Sequence, residues 1–367
     1  MKLPTIAMLL CVALRYPPVA AQIQQPVDSP EARQLCEQMG HALGKYVVDG
    51  SNEEGVKCDQ LIDTILARQD LTSDHLQAVA QVARMRKQPQ KAISAIERAL
   101  AQYPDAKFPM LAMPGRIVGQ CWIASIARQN GDLQRARTAY EAVMQDAYTR
   151  GEGEENRGFR ILVSLLQADC FVASGDADKA RQTLRTVPST RSPYASPVEW
   201  TDFYQENLEK GSEQARQARR QTPILRSLSL PMAEAILIQN GVGMAPILLT
   251  YGDASHDHEV LLYAVRQAAG SKQSGIEGEA ARYFLGMEYL NKTNDFAKAK
   301  GYFEALSKSD SFFAPEAGLR LLECTKKEQK AKNVAVDTAS LVQELKARFP
   351  GYAPAIDEVN KAPVHER

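Results

Sequence analysis

A glycine or asparagine followed by aspartate, with an alanine four residues past that aspartate, opens three stretches of helical periodicity in this chain. Gly131-Asp132-Leu133 precedes Ala136, Tyr140 and Val143; Gly175-Asp176-Ala177 precedes Ala180, Leu184 and Val187; Asn294-Asp295-Phe296 precedes Ala299, Phe303 and Leu306. Each stretch follows an apolar series of its own: Ile123, Ala124 and Ala127; Ala168 and Phe171; Tyr283, Met287 and Leu290. A fourth copy, from Ser73 to Pro104, carries Leu76, Val79, Ala80 and Ala83, a turn at Lys87-Gln88-Pro89, then Ala92, Ile96 and Ala99. A looser fifth runs from Pro315 through Leu322 to Leu345 and Phe349-Pro350. Two amphipathic helices joined by a tight turn satisfy this pattern. Small residues at facing positions let the paired helices approach, and the larger Leu and Ile fill the space between successive hairpins.

Composition agrees. The chain holds 50 alanines with only 7% aromatic residues, which favours close-packed helices over a sandwich of strands. No stretch alternates apolar and polar residues over several strands, so the expected fold class is all-α. At 44% hydrophobic and 24% charged residues, 367 residues can bury a large core. The 44 basic and 44 acidic side chains cancel, leaving no bulk field for nucleic acid or an anionic membrane. No apolar run is long enough for an integral membrane span.

Small-x2-small, then Ala, then an aromatic or aliphatic residue, then Ala and Pro, at these offsets, resembles the tetratricopeptide repeat (TPR) family. The resemblance covers about half the chain and implies a right-handed α-solenoid of TPR-like antiparallel helix hairpins that binds a protein or peptide partner on its inner face. The inner-face positions of the family fall here on Asp74, Gln77, Gln81 and Arg84, then Val118, Cys121, Ser125 and Arg128, then Leu162, Leu165, Asp169 and Val172. Gln77, Gln81, Arg84, Ser125, Arg128 and Asp169 are the partner-binding set so implied. The Lys, Asn and Arg set with which some members clamp a C-terminal carboxylate is missing. One departure concerns length: Ala92, Ala136 and Ala180 recur every 44 residues, where the family repeats every ~34. The extra length falls in 108–115 and 151–158, as loops between hairpins or extended helix ends. The run Ala281 to Gly286, with Phe313 to Ala317, resembles repeats of periplasmic coordinators of outer-membrane assembly and of the Tol-Pal system.

The chain divides as follows. Residues 1–21 are an expected secretory signal, with Lys2, an apolar stretch from Thr5 to Leu14, and Val19-Ala20-Ala21 as a cleavage site ahead of Gln22. Residues 22–188 form an N-terminal TPR-like array, 189–197 a Pro/Ser linker, 198–275 irregular helical hairpins, 276–352 C-terminal TPR-like repeats, and 353–367 a tail. The signal directs the protein to the periplasm or the outer membrane, or out of the cell. Five cysteines follow it. In an oxidising compartment Cys36 and Cys58, on two helical segments joined by Asp49-Gly50-Ser51-Asn52, are the candidate disulfide; the other reading is two small buried hydrophobes.

Candidates for chemistry are few. His256-Asp257-His258-Glu259 offers metal-capable side chains, yet Asp257 and Glu259 also suit the first turn of the helix that Val260-Leu261-Leu262-Tyr263 continues. Gly241-Val242-Gly243 lacks the Lys-Ser/Thr of a phosphate loop and fits a helix-ending turn. Cys121-Trp122 fits a core position. Asn291-Lys292-Thr293 matches a glycosylation pattern and equally a turn. No catalytic motif, cofactor motif or small-molecule substrate site is evident. The expectation is a non-catalytic exported scaffold or adapter for protein-protein interactions in the cell envelope. The alternatives are a structural subunit of a secretion or surface assembly, or a metal-dependent enzyme using His256 to Glu259.

Overall fold

The computed structural model describes residues 29–104, 106, 114–151, 154–185, 230, 233–234, 236–237, 241, 257–270, 275–309, 311, 313–335 and 337–363. The signal segment 1–21, the linker 189–197 and most of 198–256 lie outside them. Among the described residues the protein is all helical, with fourteen α-helices and no strand. In chain order these are α1 Pro30–Asp49, α2 Asn52–Leu66, α3 Ser73–Met85, α4 Pro89–Gln102, α5 Gly115–Gln129, α6 Leu133–Gln145, α7 Glu154–Ala173 and α8 Ala177–Arg185. After them come α9 Asp257–Gly270, α10 Ile276–Glu288, α11 Phe296–Ser307, α12 Ala314–Ala331, α13 Ala339–Arg348 and α14 Ala353–Lys361. A π-helical turn, Tyr289–Thr293, ends α10. None of these helices is long and apolar enough to cross a membrane.

The hairpin turns explain the recurring pair of residues. At Gly131 (φ 81°) and Gly175 (φ 79°) the first helix ends in the left-handed region, which glycine enters without steric cost. The amide of that glycine donates to the carbonyl three residues back, Arg128 or Val172, and the next amide to the carbonyl five back, Ala127 or Phe171. This is the Schellman closure of a helix C-terminus. The residue making the longer bond is the aspartate, whose carboxylate then caps the second helix. Asp132 accepts from Arg135 N (3.1 Å), Asp176 from Lys179 N (3.2 Å) and Asp295 from Lys298 N (3.1 Å). The same closure recurs with Lys87 (φ 58°) and Asn333 (φ 53°) in the left-handed position. The alanine four residues past each cap is fully buried: Ala92, Ala136, Ala180 and Ala299 are all 0% exposed.

The chain forms two compact units, Met1–Arg150 with Leu237–Ala268, and Gly151–Ile236 with Ala269–Arg367. In the first, α1 pairs with α2, α3 with α4 and α5 with α6, and each hairpin packs on the next. The approach of α4 to α5 is close: a β-carbon at Gly119 would stand 2.8 Å from Leu100 Cδ2. A linear reading does not foresee that 237–268 joins this unit. In the second unit α7 pairs with α8, while α10, α11 and α12 pack in succession. There the Tyr283 ring stacks on Phe313 (centroids 5.2 Å apart) and meets Phe303 edge-on (5.9 Å). Gly286 makes room for Phe303, whose Cε1 would lie 2.5 Å from a β-carbon at 286.

Within the expected tail, residues 353–361 form helix α14. Ile356 of α14 and Tyr352 before it join Leu319, Leu322, Leu345 and Phe349 in a core. Lys326, on α12, explains how so short a helix holds. Its Nζ donates to the carbonyls of Val359 (2.8 Å), Asn360 (2.7 Å) and Ala362 (2.6 Å), which would otherwise be orphaned at the negative end of the helix dipole. Burial holds this ammonium below its ordinary pKa.

Two outcomes follow for stability. Replacing Lys87-Gln88 by Gly-Asp supplies the glycine and the cap that the Gly131 and Gly175 turns possess, and should stabilise the first unit by about 1 kcal/mol in urea denaturation. A destabilised double variant would mean that this turn is closed differently. Lys326→Met keeps the aliphatic packing and deletes three bonds; it should cost the second unit about 2 kcal/mol and speed amide exchange in α14. Unchanged exchange there would remove the lysine from this role.

Candidate functional site

The implied partner-binding residues lie mainly on α3 and α5. Helix α3 begins with a capping box in which a histidine takes the usual place of Glu or Gln: Thr72 Oγ1 accepts from His75 N (3.3 Å), and His75 Nδ1 accepts from Thr72 N (3.2 Å). The proton of this fully buried imidazole therefore sits on Nε2. Beyond the cap, Leu76, Val79, Ala80 and Ala83 face the packed hairpins as the sequence predicts, and so far α3 is an ordinary amphipathic helix.

Its opposite side is not ordinary. Gln77 is 1% exposed and Gln81 is 5% exposed, and on α5 Ser125 and Arg128 are both 0% exposed. Helices α4 and α6 each keep a solvent face, whereas α3 and α5 are buried nearly all round. The inner positions thus form a polar interior. Gln77 Nε2 donates to Ser73 Oγ (2.8 Å). Arg84, half-buried, donates to Gln129 Oε1 (3.1 Å) and so ties α3 to α5. Asp169 sits half-buried on α7 of the second unit. Cys121 and Trp122 are core residues, as expected, and burial pushes the Cys121 thiol up to about 12.

A second constellation was not visible in the motifs. Arg86 makes a two-pronged ion pair with Asp59 (Nε to Oδ1 2.8 Å, Nη2 to Oδ2 2.9 Å). Its guanidinium lies 4.1 Å from the centre of the Tyr46 ring, a cation-π contact. Tyr263 of α9 sets its ring edge against Tyr46 (6.1 Å, 78°) and donates its hydroxyl to the Tyr46 hydroxyl at 3.5 Å. Burial, then the bond to Tyr46, push the Tyr263 phenol up to about 12. Gly55 lets Arg86 and Tyr46 in, since a β-carbon there would be 3.0 Å from both guanidinium nitrogens and from Tyr46 Cδ2. The only sequence signal was a glycine in the first turn of α2, without a partner to assign it to.

The candidate disulfide is not formed: Cys36 and Cys58 are both buried and not joined to each other. The Cys58 thiol donates to the Met39 carbonyl (3.9 Å), about a turn along α1 from Cys36. Burial pushes it up to about 12, so it is a poor nucleophile. His256 lies outside the described residues, as do the side chains of Asp257 and His258; Glu259 is exposed and pairs with Arg266 (3.6 Å). Among the described residues no group of three or more His, Cys, Asp or Glu could hold a metal ion. No protein-family model matches the chain, and no curated protein matches its sequence.

The Arg86 cluster has a measurable value. Arg86→Ala, which strands Asp59 and uncovers Tyr46, should lower stability by about 2 kcal/mol. Arg86→Lys should recover less than half of that, because an ammonium cannot reproduce the planar fork. Full recovery by lysine in urea titrations would reduce the contact to simple charge attraction.

Proposed function

We infer that this protein is a non-catalytic scaffold, a TPR-like α-solenoid that is exported to the cell envelope and holds a protein or peptide partner there. The observation that supports the reading most is a repeated helix closure: a left-handed residue with a Schellman pair of bonds at Lys87, Gly131, Gly175 and Asn333, joined at Gly131 and Gly175 by a capping aspartate and a buried alanine. Hairpins closed alike and packed each on the next build extended surfaces whose chemistry is set by the first helices. In the first unit those helices carry Gln77, Gln81, Arg84, Ser125 and Arg128, a set rich in amide and guanidinium donors and suited to peptide carbonyls.

The test uses a C-terminally tagged chain crosslinked in its native cells, with soluble and membrane envelope fractions analysed separately. One reproducible protein, recovered at least several-fold less with Arg84→Glu while circular dichroism stays helical, is the expected result. Arg84 is chosen because, unlike Arg128, it keeps part of its surface in solvent. Recovery of the tagged chain alone from both fractions, or cytoplasmic retention with residues 1–21 uncleaved, would overturn the reading.

A further inference from the structure

Asn130 and Gly131, which close α5, are also the two reactants of an intramolecular reaction. A glycine nitrogen that follows asparagine can attack the asparagine Cγ, because no β-carbon obstructs the approach. The new C–N bond closes a succinimide ring, and the carboxamide nitrogen leaves as ammonia with the proton that the glycine nitrogen gives up. Water then opens the ring at one of its two carbonyls, leaving aspartate or isoaspartate. Water is the only co-reactant, and Asn130 is exposed to it. In the folded protein three features of the turn oppose the attack. Asn130 has φ −100° and ψ 8°, a backbone conformation that turns the Gly131 nitrogen away from the asparagine side chain. Asn130 Nδ2 donates to the Ile126 carbonyl (2.7 Å), which folds the carboxamide back over the end of α5. The Gly131 N–H, whose proton has to be lost, is held by the Arg128 carbonyl (3.0 Å), and Asp132 N fastens the turn to the Ala127 carbonyl (2.9 Å).

We propose that Asn130-Gly131 is a self-modification site guarded by its own helix closure: the asparagine cyclises only when the turn between α5 and α6 opens, and the product cannot rebuild that turn. Opening alone is local and reversible; the reaction makes it permanent. Isoaspartate lengthens the main chain by one carbon just before Gly131. That shifts the Schellman bonds, the Asp132 cap on Arg135 N and the buried Ala136 out of register with α5. Aspartate keeps the length but replaces the donor to Ile126 by a carboxylate, at the negative end of the α5 dipole and two residues from Asp132. The turn at Gly175 shows that the fold does not require the reactive amide. There Ser174 Oγ donates to the Phe171 carbonyl (2.9 Å) beside the same left-handed glycine (φ 79°), and a hydroxyl cannot form the ring. The site acts within the first unit and needs no partner.

The full chain is held in native buffer and, separately, in guanidinium chloride above its unfolding midpoint, and conversion at each asparagine is followed by peptide mass spectrometry. Asn240-Gly241, the other Asn-Gly pair in the sequence, supplies the unguarded rate in denaturant. There the two sites should convert within about twofold of each other. In native buffer Asn130 should convert at least about tenfold more slowly than in denaturant, since only open molecules react. Equal rates at Asn130 in the two conditions would overturn the guard. Irreversibility is read on Asn240→Ser chains, with and without Asn130→Ser, kept in denaturant, returned to buffer and followed by amide exchange over α5 and α6. The chain that keeps Asn130 should regain slow exchange only in its unconverted molecules, and the Asn130→Ser chain in nearly all of them. If either serine variant loses its helical circular dichroism, the unsubstituted chain decides, with molecules converted at 130 parted from the rest by ion exchange. Converted molecules whose α5 and α6 exchange as slowly as unconverted ones would sink the proposal.

Discussion

An amide that donates to a carbonyl five residues upstream closes the helix before each of four turns in this protein, and the pairing of helices depends on it. The bond forms only when the residue between them adopts a positive φ. Gly131 and Gly175 do so freely, Asn333 with modest cost, and Lys87 against its own preference. After Gly131 and Gly175 the capping aspartate fixes where the next helix starts, and with it the residue, Ala136 or Ala180, that is buried four positions later. The order of causes runs from one dihedral angle to a hydrogen bond, then to a cap, then to a packing distance.

This chain of causes is local, and for that reason it was legible in the sequence. Gly131-Asp132 and Gly175-Asp176 announce their turns, and the spacing of Leu76, Val79, Ala80 and Ala83 announces α3. Lys87 shows the limit of such reading, for nothing in a lysine marks it as left-handed; only the flanking helices do. Contacts between distant residues left no comparable trace. Arg86 finds Asp59 and Tyr46, and Tyr263 finds Tyr46, across separations that no periodicity encodes. Lys326 was indistinguishable from the surface lysines around it, yet its ammonium ends α14. The polar character of Gln77, Gln81, Ser125 and Arg128 was legible; their burial was not, because helical periodicity does not say which polar positions a neighbouring element covers.

That burial changes what a polar first helix means. In an isolated hairpin, glutamine and arginine on the side away from the core are solvent-facing by default. Here the same residues face protein, and each donor or acceptor has to be answered by another group and not by water. Such an interior is stable when its polar groups are matched and costly when they are not, so the side chains that share it have to be compatible as a set. Trp122 and Gly241 are in close contact, a flat indole against a residue without a side chain.

The π-helical turn at Tyr289–Thr293 has a further consequence. In the other closures the amide after the left-handed residue reaches back five positions, but Asp295 reaches back six, to Tyr289. The last turn of that helix thus holds one residue more than its counterparts, wound into a wider turn and not expelled into the loop. Asn294 is still left-handed, Asp295 still caps α11 and Ala299 is still buried. The extra residue is absorbed by the helix, the element usually regarded as rigid, while the left-handed residue, the cap and the buried alanine keep their spacing. In this architecture the turns are the conserved metric, and the helices between them are the parts free to change length.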